Sequence, residues 1–197
     1  MTDLSIRLAQ TVNRTATLGP FSRFALWVQG CERRCAGCVS PEMQPLQGGY
    51  VKSVLTLADE ILTVQGIEGV TISGGEPFLQ EEALCLLCDS LREGGNLGII
   101  LYTGYEFSEI RRRALTLRCD AIIDGPYIPE RDDGLSLRGS SNQCLRHITG
   151  RYRGLIAFGS QSRQTELLSN REGGVSMVGV PSKHDRDVAA ALREFLK

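Results

Sequence analysis

The chain is poor in histidine, with only His147 and His184, and has a single tryptophan, Trp27. Two histidines are too few for a general zinc-enzyme reading. Excess charge of either sign is also lacking: 22 lysines and arginines face 23 acidic residues in 197. That balance gives no electrostatic reason to expect nucleic acid or a membrane surface as the main partner. No apolar run approaches the roughly 18 residues of a membrane span. Residues 1–10 mix Asp3 and Arg7 with polar residues where a signal peptide would carry an apolar segment. The expected location is therefore the cytoplasm, with no membrane or nucleic-acid partner. Repeats, low-complexity tracts and long linkers are missing too.

The composition that remains, 42% hydrophobic and 23% charged, suits one globular domain over 1–197 with a buried core. Cysteine is the exception to the ordinary pattern. There are seven, an odd number, and three fall between positions 31 and 38. Without a secretion signal, such crowding points to metal binding or redox chemistry rather than a disulfide scaffold.

Short apolar runs alternate with helical spacing, as βα units of a mostly parallel sheet require. Strands are expected over 24–28, 69–73, 97–102, 121–124 and 175–180, and helices over 57–64, 81–92, 107–117 and 184–196. Residues 125–147, rich in Gly, Pro, Asp and Ser, read as a functional loop. A motif follows each of the first four strands: Cys31, then Gly74-Gly75-Glu76-Pro77, then Thr103-Gly104-Tyr105, then Asp124-Gly125-Pro126. Active sites of α/β sheets and barrels assemble at the carboxyl ends of parallel strands.

Cys31-Glu-Arg-Arg-Cys35-Ala-Gly-Cys38 spaces its thiols C-x3-C-x2-C with no nearby fourth ligand. Three local thiolates can hold three irons of a [4Fe–4S] cluster and leave the fourth open; a zinc site completed by a distant Cys or His, or buried structural cysteines, are the alternatives. Arg33 and Arg34 are expected to favour thiolates over thiols. In Ser73-Gly74-Gly75-Glu76-Pro77, paired glycines allow close backbone approach to a ligand, Glu76 offers an acceptor for an amine and Pro77 stiffens the turn. Cys85 and Cys88 form a CxxC inside an apolar helical stretch, where core packing is expected. Cys144, in the polar loop, is the better candidate for a reactive thiol. Arg111-Arg112-Arg113 reads as a solvated helix face.

The pairing of CERRCAGC with SGGEP resembles the joint signature of the radical S-adenosylmethionine superfamily. More narrowly, the chain resembles the small activating enzymes of anaerobic ribonucleotide reductase. The residues carrying this are Gly19-Pro20, LWVQGC at 26–31, Gly37, Tyr102 to Tyr105, DGPYIPE at 124–130 and Leu137 to Gln143. The likeness spans 15–148, leaving 149–197 as a C-terminal strand–helix extension.

The resemblance implies an α/β fold built as an incomplete (β/α)6-type barrel with helices outside. It implies that Cys31, Cys35 and Cys38 each ligate one iron of a single [4Fe–4S] cluster, with S-adenosylmethionine chelating the open iron. Gly74, Gly75, Glu76 and Pro77 would shape the pocket around the methionine amino group, and Thr103 would contact its carboxylate or the ribose. Gly37 and Val39 in the cysteine loop, Asp124 at its strand end and Arg138 in its loop are further cofactor-binding candidates. Gly37 stands where the wider superfamily often has an aromatic residue. Val39 and Ser40 stand where the activators often carry Tyr and Asn, which leaves the adenine contacts unassigned. The implied reaction is reductive cleavage of S-adenosylmethionine to a 5′-deoxyadenosyl radical that makes a glycyl radical on a partner enzyme. A flavodoxin- or ferredoxin-type protein would donate the electron. Two other readings stay open: radical modification of a peptide or small molecule, and a metal-binding module without catalysis.

Overall fold

The computed structural model describes residues 3–159, 163–169 and 175–195. Its centre is a seven-stranded sheet in the order β3-β1-β2-β4-β5-β6-β7. The four inner strands, β2 (Arg23–Val28), β4 (Gly69–Gly74), β5 (Gly98–Thr103) and β6 (Ala121–Asp124), run parallel to one another. Each is almost wholly buried, which is why RFALWV and GIILYT read as continuous apolar runs rather than alternations. The flanking strands β1 (Ser5–Thr15) and β7 (Cys144–His147) pair antiparallel with β2 and β6, and β3 (Tyr50–Ser53) pairs antiparallel with β1. The fold is therefore α/β with a mixed sheet and a parallel centre.

One face of the sheet carries α1 (Val54–Thr63) and α2 (Glu81–Gly95). Ser53 caps α1 by accepting from the Thr56 N–H at 3.1 Å. Asn96, left-handed at φ 47°, ends α2. Leu57, Ile61, Leu84, Leu87 and Leu91 of these helices pack on Phe24, Leu26, Val70, Ile72, Ile99 and Leu101, the residues that a two-residue strand period turns to this side.

The opposite face presents Ala25, Trp27, Ile100, Tyr102 and Ile123. Residues after the sheet cover it. Tyr152 and Ile156 pack under β5 and β6, and the antiparallel pair β8 (Thr165–Ser169) and β9 (Val175–Gly179) packs Leu168 and Val178 near Trp27. The terminal helix α4 covers Lys183–Phe195; residue 196 of the expected helix lies outside the described residues.

Three expectations change. Residues 107–117 hold only one helical turn, α3 (Phe107–Ile110), followed by turns and a 3-10 segment at Thr116–Arg118. Glu81 captures the Leu115 N–H at 3.1 Å, and Thr116 donates to the Ile110 carbonyl at 2.8 Å, folding the chain back so that Ile110 and Leu115 both reach the core. The loop 125–147 ends in strand β7. Arg113 is not simply solvated: it pairs with Glu81 and lies 4.7 Å over the Phe78 ring.

Candidate functional site

The parallel strands bring Val28, Gly74, Thr103 and Asp124 to one edge of the sheet, with Val28 opposite Gly74 and Thr103 opposite Asp124. Beyond that edge lies a cavity of about 390 Å3. Cys31, Cys35, Cys38 and Val39 line it from the loop after β2, and Gly74, Gly75, Glu76 and Thr103 from the ends of β4 and β5. The remaining sequence-predicted residues are not on its wall. Gly37 backs the cysteine loop, where an added Cβ would come within 2.7 Å of Pro129. Pro77 is buried as it opens the 3-10 turn Pro77–Gln80. Asp124 accepts from Arg146 Nε at 2.9 Å and from the Phe107 N–H at 3.0 Å, in a neighbouring cleft that also holds Cys144. Arg138 pairs with Asp133 and lies 4.7 Å over the Phe158 ring, so its guanidinium is engaged away from the cavity.

The cysteine loop is anchored at both ends by backbone bonds. The Gly30 and Cys31 N–H groups donate to the Met43 and Gln44 carbonyls, each at 2.9 Å. Within the loop, Arg34 (φ 46°) and Gly37 (φ 65°) adopt the left-handed conformation that curls the three thiols to one side. Two glutamines not singled out by the sequence hold this frame. Gln29, 5% exposed, donates to the carbonyls of Glu42 and Pro45 at 3.2 and 2.8 Å. Gln80 donates to the carbonyls of Arg7 and Gln29 at 2.9 and 3.1 Å. Their available signal was a lone amide ending an apolar run and another just after SGGEP.

The glycine pair serves a contact within the chain as well as the cavity. The Gly75 and Glu76 N–H groups donate to the Val28 and Gly30 carbonyls, each at 2.8 Å. A Cβ on Gly75 would lie 2.1 Å from the Gly30 oxygen, and one on Gly74 2.5 Å from the Val28 backbone. The SGGEP turn thus zips directly onto the stem of the cysteine loop.

Glu76 is 1% exposed. Its Oε1 accepts from Thr103 Oγ1 at 2.8 Å and the Phe78 N–H at 3.1 Å, and its Oε2 from the Gly104 N–H at 2.9 Å. Burial pushes its carboxyl above the usual range against the pull of those donors and of Arg33. Burial likewise pushes the Cys31 thiol up, over the opposing backbone N–H groups of Arg33 and Arg34. Arg33 lies 4.6 Å over the Tyr105 ring and 3.9 Å from Glu109, and Arg34 is exposed.

Among the described residues no three His, Cys, Asp or Glu side chains stand as a ready metal-binding group. The donor set still fits an iron–sulfur cluster: three thiols share one cavity wall, and no histidine lines it. Metal binding commonly completes the folding of such a loop. Cys88 and Cys119 are fully buried, and burial raises Cys88 to about 12, so these thiols pack as small apolar groups. No helix is long and apolar enough to cross a membrane among the described residues.

Comparison with known proteins gives the same picture. The 4Fe-4S single cluster domain matches residues 17–146. The anaerobic ribonucleoside-triphosphate reductase-activating protein of Vibrio cholerae is 32% identical over 142 residues, covering 66% of this chain and 91% of that protein. Its namesake from Enterobacteria phage T4 is 31% identical over 132 residues, 64% of this chain and 85% of that protein. The pyruvate formate-lyase-activating enzyme of Listeria monocytogenes is 33% identical over 89 residues, 43% of this chain and 36% of that enzyme. With its cysteine loop and SGGEP turn on one cavity, the chain belongs to the radical S-adenosylmethionine superfamily, in the 4Fe-4S single cluster domain family of the anaerobic reductase-activating proteins.

Proposed function

We propose that the chain activates a glycyl radical enzyme, an anaerobic ribonucleotide reductase, by abstracting hydrogen from a glycine Cα of that partner. The observation carrying this reading is the meeting of Cys31, Cys35 and Cys38 with Gly74, Gly75 and Glu76 on one cavity at the carboxyl edge of the parallel strands. In it, the three thiols hold one [4Fe–4S] cluster. The bound cluster and S-adenosylmethionine supply, on receipt of one electron, free methionine and a 5′-deoxyadenosyl radical able to take a hydrogen atom from glycine.

This chain's residues do the holding and orienting. Glu76, fixed by Thr103, Gly104 and Phe78, turns buried negative charge toward the cofactor's ammonium group. The Gly74-Gly75 turn fixes that carboxylate relative to Cys31 through the Val28 and Gly30 carbonyls. In this reading the α/β sheet acts as a partial (β/α)6-type barrel, the whole of 1–197 works as one domain, and the electron comes from a flavodoxin- or ferredoxin-type donor in the cytoplasm. The test is to incubate the anaerobically reconstituted, reduced protein with S-adenosylmethionine and candidate reductase. An electron paramagnetic resonance doublet from a glycyl radical is expected. Cofactor cleavage without any protein radical would move the reading to a peptide or small-molecule substrate.

A further inference from the structure

The cavity is two-sided in chemistry. Its thiols, Arg33 and Glu76 make one end; Leu18, Trp27, Met43, Tyr102, Met177 and Val180 give it a broad apolar wall. Part of that wall lies outside the family-matched residues 17–146. Met177, Gly179, Val180 and Pro181 all line the cavity, and all belong to the C-terminal extension.

The extension is seated firmly enough to be a wall. Val178, alternating with Met177 and Gly179 along β9, is fully buried in the cluster of Leu18, Ala25, Trp27 and Met43. Arg163, with 6% of its side chain exposed, donates to Asp132 Oδ1 at 2.7 Å, to the Arg138 carbonyl at 3.1 Å and to the Pro181 carbonyl at 3.4 Å. One guanidinium thus ties the end of β9 to the loop after β6.

Tyr102 also lines the cavity, while its phenolic oxygen is itself buried.

An amphipathic ligand would place its charged group near Glu76 and its flat, weakly polar group on the apolar wall. S-adenosylmethionine has this division: an amino-acid half, and a nucleoside half with ring-nitrogen and hydroxyl acceptors and a face suited to thioether and aromatic contacts. Resting on the function proposed above, we infer that the C-terminal extension completes the cofactor site, with Met177 packing on the nucleoside half.

The test separates the two halves of the ligand. Equilibrium dialysis of the full-length, cluster-loaded protein is done with S-adenosylmethionine, methionine and 5′-deoxyadenosine as three probes. Met177→Asp should weaken S-adenosylmethionine and 5′-deoxyadenosine binding by about tenfold or more, since it sets a charge against an apolar group. Met177→Leu should recover most of what Met177→Asp loses. Methionine affinity and iron content should hold in every variant. Parallel loss of methionine binding, or undiminished S-adenosylmethionine binding by Met177→Asp, would overturn the inference alone. A wild-type protein with a full cluster that binds none of the three probes would sink the proposed function and this inference together.

Discussion

Thr103 Oγ1 donates to Glu76 Oε1 at 2.8 Å, joining the ends of β4 and β5 above the sheet. Glu76 thereby braces the wall of the cavity as well as facing into it, for Gly104 and Phe78 donate to the same carboxylate. Its two roles are separable by substitution. Glu76→Ala removes an acceptor for three buried donors and is expected to cost about 2–4 kcal/mol in stability. It should also weaken S-adenosylmethionine binding at least tenfold with iron content retained, as read by dialysis and iron assay. Full cofactor affinity in that variant would remove Glu76 from the binding role.

Glu76 also carries a pH signature in the ligand-free protein. Burial raises its folded-state pKa above the ordinary 4.5. In the window between those values the folded chain holds a proton that the unfolded chain has lost. Stability contributed at this site therefore falls as pH rises through the window and is level above it. Glu76→Gln cannot titrate, so its unfolding free energy relative to wild type should increase with pH across the same window. Urea unfolding at a series of pH values measures this, and a difference that shrinks with rising pH contradicts the assignment.

Cys31, Cys35 and Cys38 are expected to be equivalent in consequence. Alanine at any one should bring the iron content of reconstituted protein close to zero. Cys88→Ala should keep the iron and lose about 1–2 kcal/mol of stability, because it only opens space under α2. Equal iron loss in Cys88→Ala would reassign the ligands.

What could be read from the sequence was local. FALWV, GVTIS and AIID are buried on both faces, so an unbroken apolar run was enough to find their strands. Strand β1 escaped because its register shift between Leu8 and Gln10 breaks the alternation, leaving Ile6 and Leu8 in one core and Val12 in the other. Strand β7 escaped because CLRH alternates exposed and half-buried at the sheet edge. In the site, the cysteine spacing and the SGGEP turn were legible since each is a short segment with its own geometry. That Asp124 and Arg138 lie off the cavity wall was not legible, because Arg146 and the Phe107 N–H claim the first, and Asp133 and Phe158 the second. Those partners are chosen by the tertiary fold, as is the meeting of Tyr102 with Met177 around one cavity.

The glycine pair gives a sharp test of how the two motifs are coupled. An alanine Cβ at position 75 would sit 2.1 Å from the Gly30 oxygen, and backbone cannot move aside as a side chain can. Gly75→Ala is expected to destabilise the fold by about 3 kcal/mol or more. Because Gly30 leads directly into Cys31, it should also reduce iron incorporation. Thermal unfolding and iron assay on the same preparation report both effects. A wild-type midpoint with a full cluster would mean that the turn is not zipped onto the loop stem.

The far edge of the sheet is held by Arg23, which is fully buried yet has a partner for every nitrogen. Its Nε donates to Thr71 Oγ1 at 2.8 Å, Nη1 to Glu68 at 2.8 Å and to the Tyr152 hydroxyl at 2.7 Å, and Nη2 to the Val70 and Gly98 carbonyls at 2.9 and 3.0 Å. Tyr152 donates in turn to Glu68 at 2.6 Å, so the start of the C-terminal extension is built into the same network. Removing one member of a buried, hydrogen-bonded pair leaves the rest desolvated and unmatched. Arg23→Ala should therefore cost about 3–5 kcal/mol. Tyr152→Phe removes a single hydroxyl and should cost about 1–2 kcal/mol. Once Arg23 is gone, that hydroxyl has lost its donor. The double variant Arg23→Ala with Tyr152→Phe should then be more stable than the sum of the two losses predicts. Urea unfolding of the four proteins closes the cycle, and strictly additive losses would show that Tyr152 packs beside Arg23 without sharing its network.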